Sequence, residues 1–304
     1  MNNITYVRHR DIDRSKWDRC IDEAPNGRIY GYADYLDAMA RHWDALVMGD
    51  YEAVMPLTAK KKWGITYLCQ PPFCAQLGVM GKNLDEQVVR SFIDLLTQQY
   101  KLIEISLNPG NPISLPSNQL IYRNNYILSL HATYDTLAQQ YRENVQRNIR
   151  KAEALGCRFS TTVPVTEILQ LAADQMRARK ESDREALHRL GPLLQKWSSE
   201  KKAAGYGIYS KRDELLASAV FLFSHQRMYY ILPGNHPNGR TLGASHYLID
   251  RAIHHQAGTS HLLDFEGSDN PGVAFFYSSF GSSLEKYPAL RINNLPWWIR
   301  LVKN

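Results

Sequence analysis

The order of apolar segments in this chain repeats once, at a displacement of about 160 residues, and such a long period indicates duplication of a whole domain. In each copy, three short apolar runs separated by polar turns are followed by an amphipathic segment and a further apolar run. The segments of the first copy are 45–48, 53–58, 65–69, 84–100 and 102–106, and those of the second are 206–209, 215–223, 228–232, 243–255 and 262–265. The fold must therefore accommodate one β-β-β-α-β pattern twice.

This pattern predicts an α/β (α+β) fold. Short turns make the first three strands antiparallel neighbours, whereas a strand–helix–strand connection requires a crossover and makes the last two strands parallel. We expect two tandem mixed-sheet domains, 1–132 and 133–304, with the boundary after the strand-like segment YILSLH. Residues 134–156 predict one connecting helix. Residues 165–180 and 190–205 predict two more, the second ended by Gly205.

The segment HLLDFEGSDNPGVAFFYSSFG, residues 261–281, has the most specific motif. An apolar run ends in a polar turn that contains glycine, and a helix-like segment follows. Within that segment Asn270, Tyr277 and Gly281 are spaced at offsets of zero, seven and eleven. The pattern predicts a strand, a turn and a helix with one polar and one aromatic residue at fixed places.

This segment resembles the strand, turn and helix that close the cofactor side of the GNAT superfamily of N-acyltransferases. The DFEG turn and terminal SSFG, with QPPF and QRNIRKA elsewhere, are still more similar to the Fem-type aminoacyl transferases, which build peptidoglycan cross-bridges. The resemblance implies two tandem GNAT-type domains and a cofactor that enters where the last two strands of the second domain splay apart. The coiled-coil arm that Fem-type enzymes often insert has no counterpart, because no heptad run here is long enough.

The resemblance also places a phosphate-binding turn in NHPNGRTLGAS, before the second amphipathic segment. A helix N-terminus presents unpaired N–H groups and a partial positive charge, and small residues let a pyrophosphate approach that backbone. A plain helix cap without a ligand is the alternative. The predicted cofactor-binding residues are Arg240, Leu242, Gly243, Ala244, Ser245 and Asn270.

Tyr277 is the residue that the resemblance directs towards the acyl-transfer centre. Amide formation expels a thiolate from a thioester or a ribose hydroxyl from an aminoacyl ester, and a positioned phenol can protonate either leaving group. Asp264 and Glu266 lie at the open end of the preceding strand, where a carboxylate can orient or deprotonate the attacking amine. The catalytic candidates are therefore Tyr277, Asp264 and Glu266. A structural tyrosine and a solvent-exposed Glu266 are the alternatives.

The corresponding turn of the first copy, CQPPFCAQLGVMG, has no arginine and two prolines, so we expect it not to hold a cofactor. In Fem-like proteins this copy serves the acceptor. The resemblance therefore implies that Gln70, Phe73 and Gln76 line an acceptor pocket. A tight surface loop with Phe73 packed inward is the alternative.

The segment 134–156 contains a basic cluster. Arg147, Arg150 and Lys151 fall roughly opposite its apolar face and could bind a phosphate backbone or a nucleotide diphosphate. A solvated face is the alternative, because Glu143 lies one turn before Arg147 as in an ordinary helix pair.

Composition limits the remaining possibilities. Four scattered cysteines indicate neither a disulfide framework nor a zinc site, so we expect no metal. The net charge of +6 favours anionic partners such as phosphates, nucleotides or RNA. No apolar segment approaches the roughly 20 residues needed to span a bilayer. Nothing at the N-terminus resembles a signal peptide, and we expect a cytoplasmic protein.

The sequence thus predicts a Fem-like transferase that moves an acyl or aminoacyl group onto an amine. The expected donor is acyl-CoA or aminoacyl-tRNA, and the resemblance implies a peptidoglycan precursor as acceptor. One alternative is an acyl-CoA-dependent N-acyltransferase acting on a small-molecule amine. Another is a catalytically inactive GNAT-fold binding protein, since duplicated folds often keep one copy as a scaffold.

Overall fold

The computed structural model describes residues 3–178 and 184–296, with Arg240 described by its backbone alone. Contacts within the chain divide it into two compact units. Unit 1 contains the chain up to Arg123 and again from Lys286 onward, and unit 2 is Asn124–Glu285. Each unit has a mixed sheet with helices, so the predicted α/β (α+β) class is confirmed.

Among the described residues, the elements that lie wholly within unit 1 are six strands, three helices and two short 3₁₀ turns, at His9–Asp11 and Ile29–Gly31. The strands are β1 (Ile4–Val7), β2 (Trp43–Met48), β3 (Ala53–Lys62), β4 (Ile65–Cys69), β5 (Met80–Gly81) and β6 (Leu102–Ser106), and the helices are α1 (Arg14–Glu23), α2 (Ala33–Met39) and α3 (Glu86–Gln99).

The remaining elements lie in unit 2, except that β7 and β13 cross the boundary between the units. The strands are β7 (Leu120–Ser129), β8 (Arg158–Ser160), β9 (Ala203–Tyr209), β10 (Leu215–Ser224), β11 (Arg227–Asn235), β12 (Leu262–Asp264) and β13 (Ser283–Asn293). The helices are α4 (Tyr134–Ala138), α5 (Glu143–Ala154), α6 (Val165–Ala178), α7 (Arg184–Ser199), α8 (Pro237–Leu242), α9 (Ala244–Gln256) and α10 (Pro271–Ser278).

Both copies of the predicted pattern are present. In unit 1, β2, β3 and β4 form an antiparallel meander, α3 crosses over, and β6 lies parallel to β4. In unit 2, β9, β10 and β11 form the meander, α9 crosses over, and β12 lies parallel to β11. Each crossover helix buries an apolar stripe in the core of its unit.

The copies exchange their last strands, which the sequence pattern did not reveal. The end of β13, Ala289–Asn293, pairs antiparallel with β6 of the first copy. Conversely, residues 127–129 of β7 pair antiparallel with β12 of the second copy. The compact units therefore differ from the contiguous ranges 1–132 and 133–304, which stay a prediction about the limits of the duplicated segments.

The single helix predicted for 134–156 is wrong, because α4 ends at Ala138 and α5 begins at Glu143. The N–H groups of residues 139–141 still bond locally, but the Arg142 N–H donates to the Ser279 carbonyl over 2.9 Å. The predicted apolar face is nevertheless buried, at Leu137, Tyr141, Val145, Ile149 and Ala152.

Gly205 does not end a helix. The helix α7 ends at Ser199, and Gly205 lies in β9, where its carbonyl accepts from Val163 N–H and a Cβ would lie 2.3 Å from the Val163 oxygen. Residues 179 and 180 of the predicted 165–180 helix lie outside the described residues. None of the helices that the structure describes is long and apolar enough to cross a membrane.

Candidate active site

The parallel strands β11 and β12 of unit 2 part after a short stretch of pairing. Their register covers only Arg227–Tyr229 opposite Leu262–Asp264, while β11 continues to Asn235. Beyond this point β12 stays joined to β7, because the Phe265 N–H donates to the Tyr126 carbonyl over 3.0 Å. We call the opening between the carboxyl ends of β11 and β12 the notch.

A β-bulge in β11 lies beside the notch. Val220 of β10 pairs with Ile231 and Ser218 with Gly234, so Leu232 and Pro233 face a single residue of β10. Leu232 has φ of 52°, in the left-handed region that a branched side chain seldom adopts. Such a bulge bends its strand, and proline is tolerated there because the ladder is already interrupted.

The corresponding position of unit 1 is closed. The Gln70 N–H donates to the Glu104 carbonyl of β6, and its side-chain oxygen accepts from the Ser106 N–H over 2.9 Å. Further along, Leu77 forms a parallel bridge with Leu107. The N-terminus of α3 is also capped by Asp85, which accepts from Val88 N–H, and continues with Glu86. Paired strands and acidic residues at the helix start both disfavour a phosphate-bearing cofactor there.

Tyr277 and Glu266 lie near each other in unit 2. Tyr277 is 8% exposed, and its ring stacks on Phe265 with 4.7 Å between centroids. Burial, followed by the negative charge of Glu266, raises the pKa of Tyr277 well above its ordinary value. Glu266 is only partly exposed. Its φ of 62° lies in the left-handed region, which residues other than glycine seldom adopt. The phenol is therefore protonated at neutral pH and has a carboxylate nearby.

Asp264 is engaged in a buried ion-pair network. It is 2% exposed, and one carboxylate oxygen accepts from Arg227 Nη1 over 2.7 Å. The other oxygen accepts from Asn125 Nδ2 over 3.0 Å and from the Glu266 N–H over 2.9 Å. Arg227 also bonds to Glu285 over 2.8 Å. This placement favours positioning of the Glu266 turn by Asp264 rather than proton transfer to a substrate.

Arg227 stays charged within this network. Burial works against the cation, but the hydrogen bond to Glu285 and the charges of Asp264 and Glu285 raise the pKa of Arg227 above its ordinary value. Sequence reasoning missed Arg227 and Glu285, because they lie 37 and 21 residues from Asp264 along the chain.

The predicted phosphate turn, residues 235–245, contains the short helix α8 and the first two residues of α9. Gly243 has φ of 75° and ends α8, and a Cβ at this position would lie 2.6 Å from the Asn148 carbonyl of α5. Ala244 is fully buried, whereas Leu242 and Ser245 are partly exposed. The Ser245 hydroxyl donates to Asn235 at the end of β11. The side chain of Arg240 lies outside the described residues.

Asn270 opens α10 as the sequence predicts. Its side-chain oxygen accepts from the N–H groups of Gly272 over 2.9 Å and Val273 over 3.3 Å. These bonds satisfy two donors of the first helical turn, so the structure accounts for Asn270 as a helix cap. A contact with cofactor stays a prediction for this residue.

The basic helix α5 packs against α8 and α9, which brings Arg147 towards the phosphate turn. Burial and then the charge of Arg147 lower the pKa of His246, in the first turn of α9, to about 4. The His246 ring also meets Phe276 of α10 edge-on at 4.8 Å. Arg150 and Lys151 are exposed on the same helix.

His246 therefore joins the candidate site as a neutral imidazole at neutral pH. Sequence reasoning assigned no histidine a role. The signal that could have found this one is its position, three residues after Gly243 in the phosphate turn.

The predicted acceptor residues of unit 1 have structural partners. Gln76 is 2% exposed and accepts from Arg28 Nε over 3.3 Å. Gln70 bridges its strands as described and donates to the Cys74 carbonyl over 3.0 Å. Phe73 is partly exposed, has φ of 53°, and accepts at its carbonyl from the Tyr35 hydroxyl. These contacts favour a structured loop, and a role in acceptor binding stays a prediction.

No cluster of three or more His, Cys, Asp or Glu side chains suited to a metal ion occurs in the part of the chain that the structure describes.

Comparison with protein families shows a similarity to the GNAT domain. Residues 139–271 match the family model described as Acetyltransferase (GNAT) domain. The match contains the phosphate turn, α9, the notch and Glu266. Residues 139–271 are therefore similar to a GNAT-type acyltransferase domain, and the two copies of the β-β-β-α-β pattern have a tandem GNAT-like fold.

Among solved structures, the fold is similar to that of FemX over 99% of this chain and 100% of the other, at 13% identity and a TM-score of 0.68. The C-terminal domain of a candidate lysylphosphatidylglycerol synthetase from Agrobacterium fabrum aligns over 96% and 94%, at 9% identity and 0.58. The structure of L-PGS from Bacillus licheniformis aligns over 86% and 87%, at 12% identity and 0.52. No curated protein matches the chain significantly.

Proposed function

We propose that the protein is a Fem-like transferase that moves an acyl or aminoacyl group onto an amine, with its chemistry in unit 2. The observation that carries the proposal is the buried, protonated Tyr277 near Glu266 on the β12–α10 side of the notch. The GNAT match over residues 139–271 and the FemX-like fold support the same class. We further propose a cell-wall peptide precursor as acceptor and a cytoplasmic reaction, because FemX is a structural neighbour and both donor types are cytoplasmic.

The proposed reaction forms an amide. The lone pair of the amine attacks the donor carbonyl carbon, and the carbon–sulfur bond of a thioester or the carbon–oxygen bond of an ester breaks. Glu266 takes a proton from the attacking nitrogen, and the Tyr277 hydroxyl gives a proton or a hydrogen bond to the leaving group. Where Tyr277 has given up its proton, the proton on Glu266 returns to Tyr277 through solvent. Where the leaving thiolate has only accepted a hydrogen bond, the proton on Glu266 passes to solvent and Tyr277 keeps its own.

The two donor classes make different demands on Tyr277. A ribose oxygen leaves as a strong base that readily takes the proton of a phenol with a raised pKa. A thiolate is a weaker base, so the same phenol stabilises it mainly by a hydrogen bond. We propose that the donor phosphates bind near Arg147 and the start of α9, with Arg240, Leu242, Gly243, Ala244 and Ser245 in the turn.

The test of this proposal is Tyr277→Phe. The substitution keeps the ring that stacks on Phe265 and removes only the hydroxyl. We expect turnover to fall at least about 10-fold while the dissociation constants of donor and acceptor stay within about twofold. Steady-state kinetics and calorimetric binding with acyl-CoA and with charged tRNA measure both quantities.

Tyr126→Phe is the matched control, because that ring also faces Tyr277, at 6.4 Å, and lies outside the proposed chemistry. Its turnover should stay near that of the parent protein. Equal turnover in Tyr277→Phe and the parent would remove Tyr277 from the mechanism. An acyltransferase on a small-molecule amine remains the second candidate. Turnover of such amines with acyl-CoA, without any response to tRNA, would favour it.

A further inference from the structure

Phe275 is an exposed aromatic residue of α10 for which the mechanism above has no use. Phe275 is 52% exposed, although the chain is buried before it, in β12, and again after it, at Tyr277. A single exposed aromatic residue is ordinary on a protein surface. Phe275 differs because the Arg142 guanidinium lies over its ring, at 4.9 Å from the centroid.

The backbone holds this Phe275–Arg142 pair in place. The Arg142 N–H donates to the Ser279 carbonyl at the end of α10 over 2.9 Å. Gly281 has φ of 78°, and a Cβ there would lie 2.6 Å from the Gln140 Cβ. The segment between α4 and α5 therefore approaches α10 closely enough to place Arg142 over Phe275. The break in the predicted connecting helix is what permits this approach.

The pair lies beside the proposed donor site. Phe276, the next residue of α10, contacts the ring of His246 in the first turn of α9. Arg142 immediately precedes α5, which also presents the exposed Arg147, Arg150 and Lys151. An aromatic ring with a guanidinium over it thus adjoins a row of cations and a helix N-terminus.

We infer that Phe275 and Arg142 form the binding subsite for the adenine base of the donor, with the attached phosphates on the basic face of α5. This inference rests on the proposed function. Coenzyme A contains an adenosine bisphosphate, and the aminoacylated end of tRNA is an adenosine, so both donor classes carry this base. Nucleobases stack on aromatic rings and on guanidinium planes, and cations nearby bind the attached phosphates.

The experiment compares probes with and without the base. Coenzyme A and adenosine 3′,5′-bisphosphate carry adenine, whereas 4′-phosphopantetheine does not. An acceptor-stem RNA hairpin ending in CCA is paired with the same hairpin lacking the final A. Dissociation constants are measured by calorimetry and by fluorescence anisotropy for the parent protein, Phe275→Leu and Arg142→Gln.

Trp63→Leu is the matched control. Trp63 is 66% exposed, and Lys62 Nζ lies over its ring at 4.5 Å, so it is a cation–aromatic pair on a different unit. Removing one stacking contact weakens binding by roughly 5- to 150-fold. We expect a loss of at least about 5-fold in Phe275→Leu, and a smaller loss in Arg142→Gln, for the probes that carry the base. Trp63→Leu should bind every probe as tightly as the parent protein does. The two probes without the base, 4′-phosphopantetheine and the shortened hairpin, should bind Phe275→Leu and Arg142→Gln as tightly as they bind the parent.

The outcomes separate the donor classes and the two proposals. A loss for coenzyme A and the bisphosphate identifies the thioester donor, and a loss for the CCA hairpin identifies charged tRNA. Unchanged binding in Phe275→Leu, with turnover still reduced in Tyr277→Phe, would overturn the adenine subsite and leave the proposed function standing. A parent protein that binds neither class of probe would overturn both.

Discussion

His246 is the residue whose environment gives the clearest prediction of how stability depends on pH. Burial and the positive charge of Arg147 lower its pKa in the folded protein to about 4, against an ordinary value of 6.5. Between these values the unfolded chain binds a proton that the folded protein does not. This part of the stability is therefore fully present above pH 6.5 and is lost as the pH falls towards 4, by an amount on the order of 2–3 kcal/mol.

Substitution by glutamine tests this expectation, because the amide of a glutamine side chain cannot be protonated in this range of pH. The free energy of unfolding, from urea denaturation at pH 7 and pH 5, should fall by less in His246→Gln than in the parent protein. His188→Gln, an exposed position on α7, is the control and should follow the parent. If the parent and His246→Gln lose equal stability, the histidine is not kept neutral by its surroundings.

Gly243 joins α8 to α9 at a place where the backbone fits only glycine. An alanine there would adopt φ of 75° and place its Cβ 2.6 Å from the Asn148 carbonyl, which belongs to the backbone of α5 and cannot rotate away. We expect Gly243→Ala to lower the free energy of unfolding by about 2–4 kcal/mol, the sum of backbone strain and overpacking. Urea denaturation measures this loss.

Gly258 offers a control in which an alanine would cause backbone strain but no overpacking. Its φ is 80°, but a Cβ there would meet no atom within 4 Å. Gly258→Ala should therefore cost about 1–2 kcal/mol. Equal losses at the two glycines would show that the approach of α5 to Gly243 does not matter to stability.

The elements that sequence patterns predicted best are those whose ends are set by local turns. The strands 65–69 and 102–106 were predicted with the observed ends, because polar turns bound them on both sides. The break between α4 and α5 could not be predicted in this way. The apolar spacing of Leu137, Tyr141 and Val145 continues through it, and the break depends on Ser279 and Gly281, which are distant in sequence.

In the candidate site, too, the residues within a local motif could be predicted, and those brought together by tertiary contacts could not. Tyr277 and Asn270 could be placed from motif spacing, since both lie on one short helix that the motif itself defines. The role of Asp264 could not, because Arg227 and Glu285 reach it only through the pairing of strands. Likewise, the approach of Arg147 to α9 follows from helix packing, which one sequence does not specify.

The duplication and the exchange of last strands give two units that share one strand pattern but differ in the strand pairing beside the crossover helix. Unit 2 has parted strands and small residues at the start of its crossover helix. In unit 1 the strands remain joined through Gln70 and Leu77, and the crossover helix begins with acidic residues.

This asymmetry predicts that one donor molecule binds per chain in spite of the two copies. Isothermal titration with the donor class that the protein uses should give a stoichiometry near one. Donor phosphates are attracted by the cation beside α9 in unit 2, but they are repelled by the carboxylates at the start of α3 in unit 1. Arg147→Glu should weaken that binding, whereas Lys60→Glu, at an exposed end of the unit 1 meander, should leave it unchanged. Two equivalent sites would mean that Gln70 and its neighbours yield to the ligand, and that the closed sheet of unit 1 is only its unliganded form.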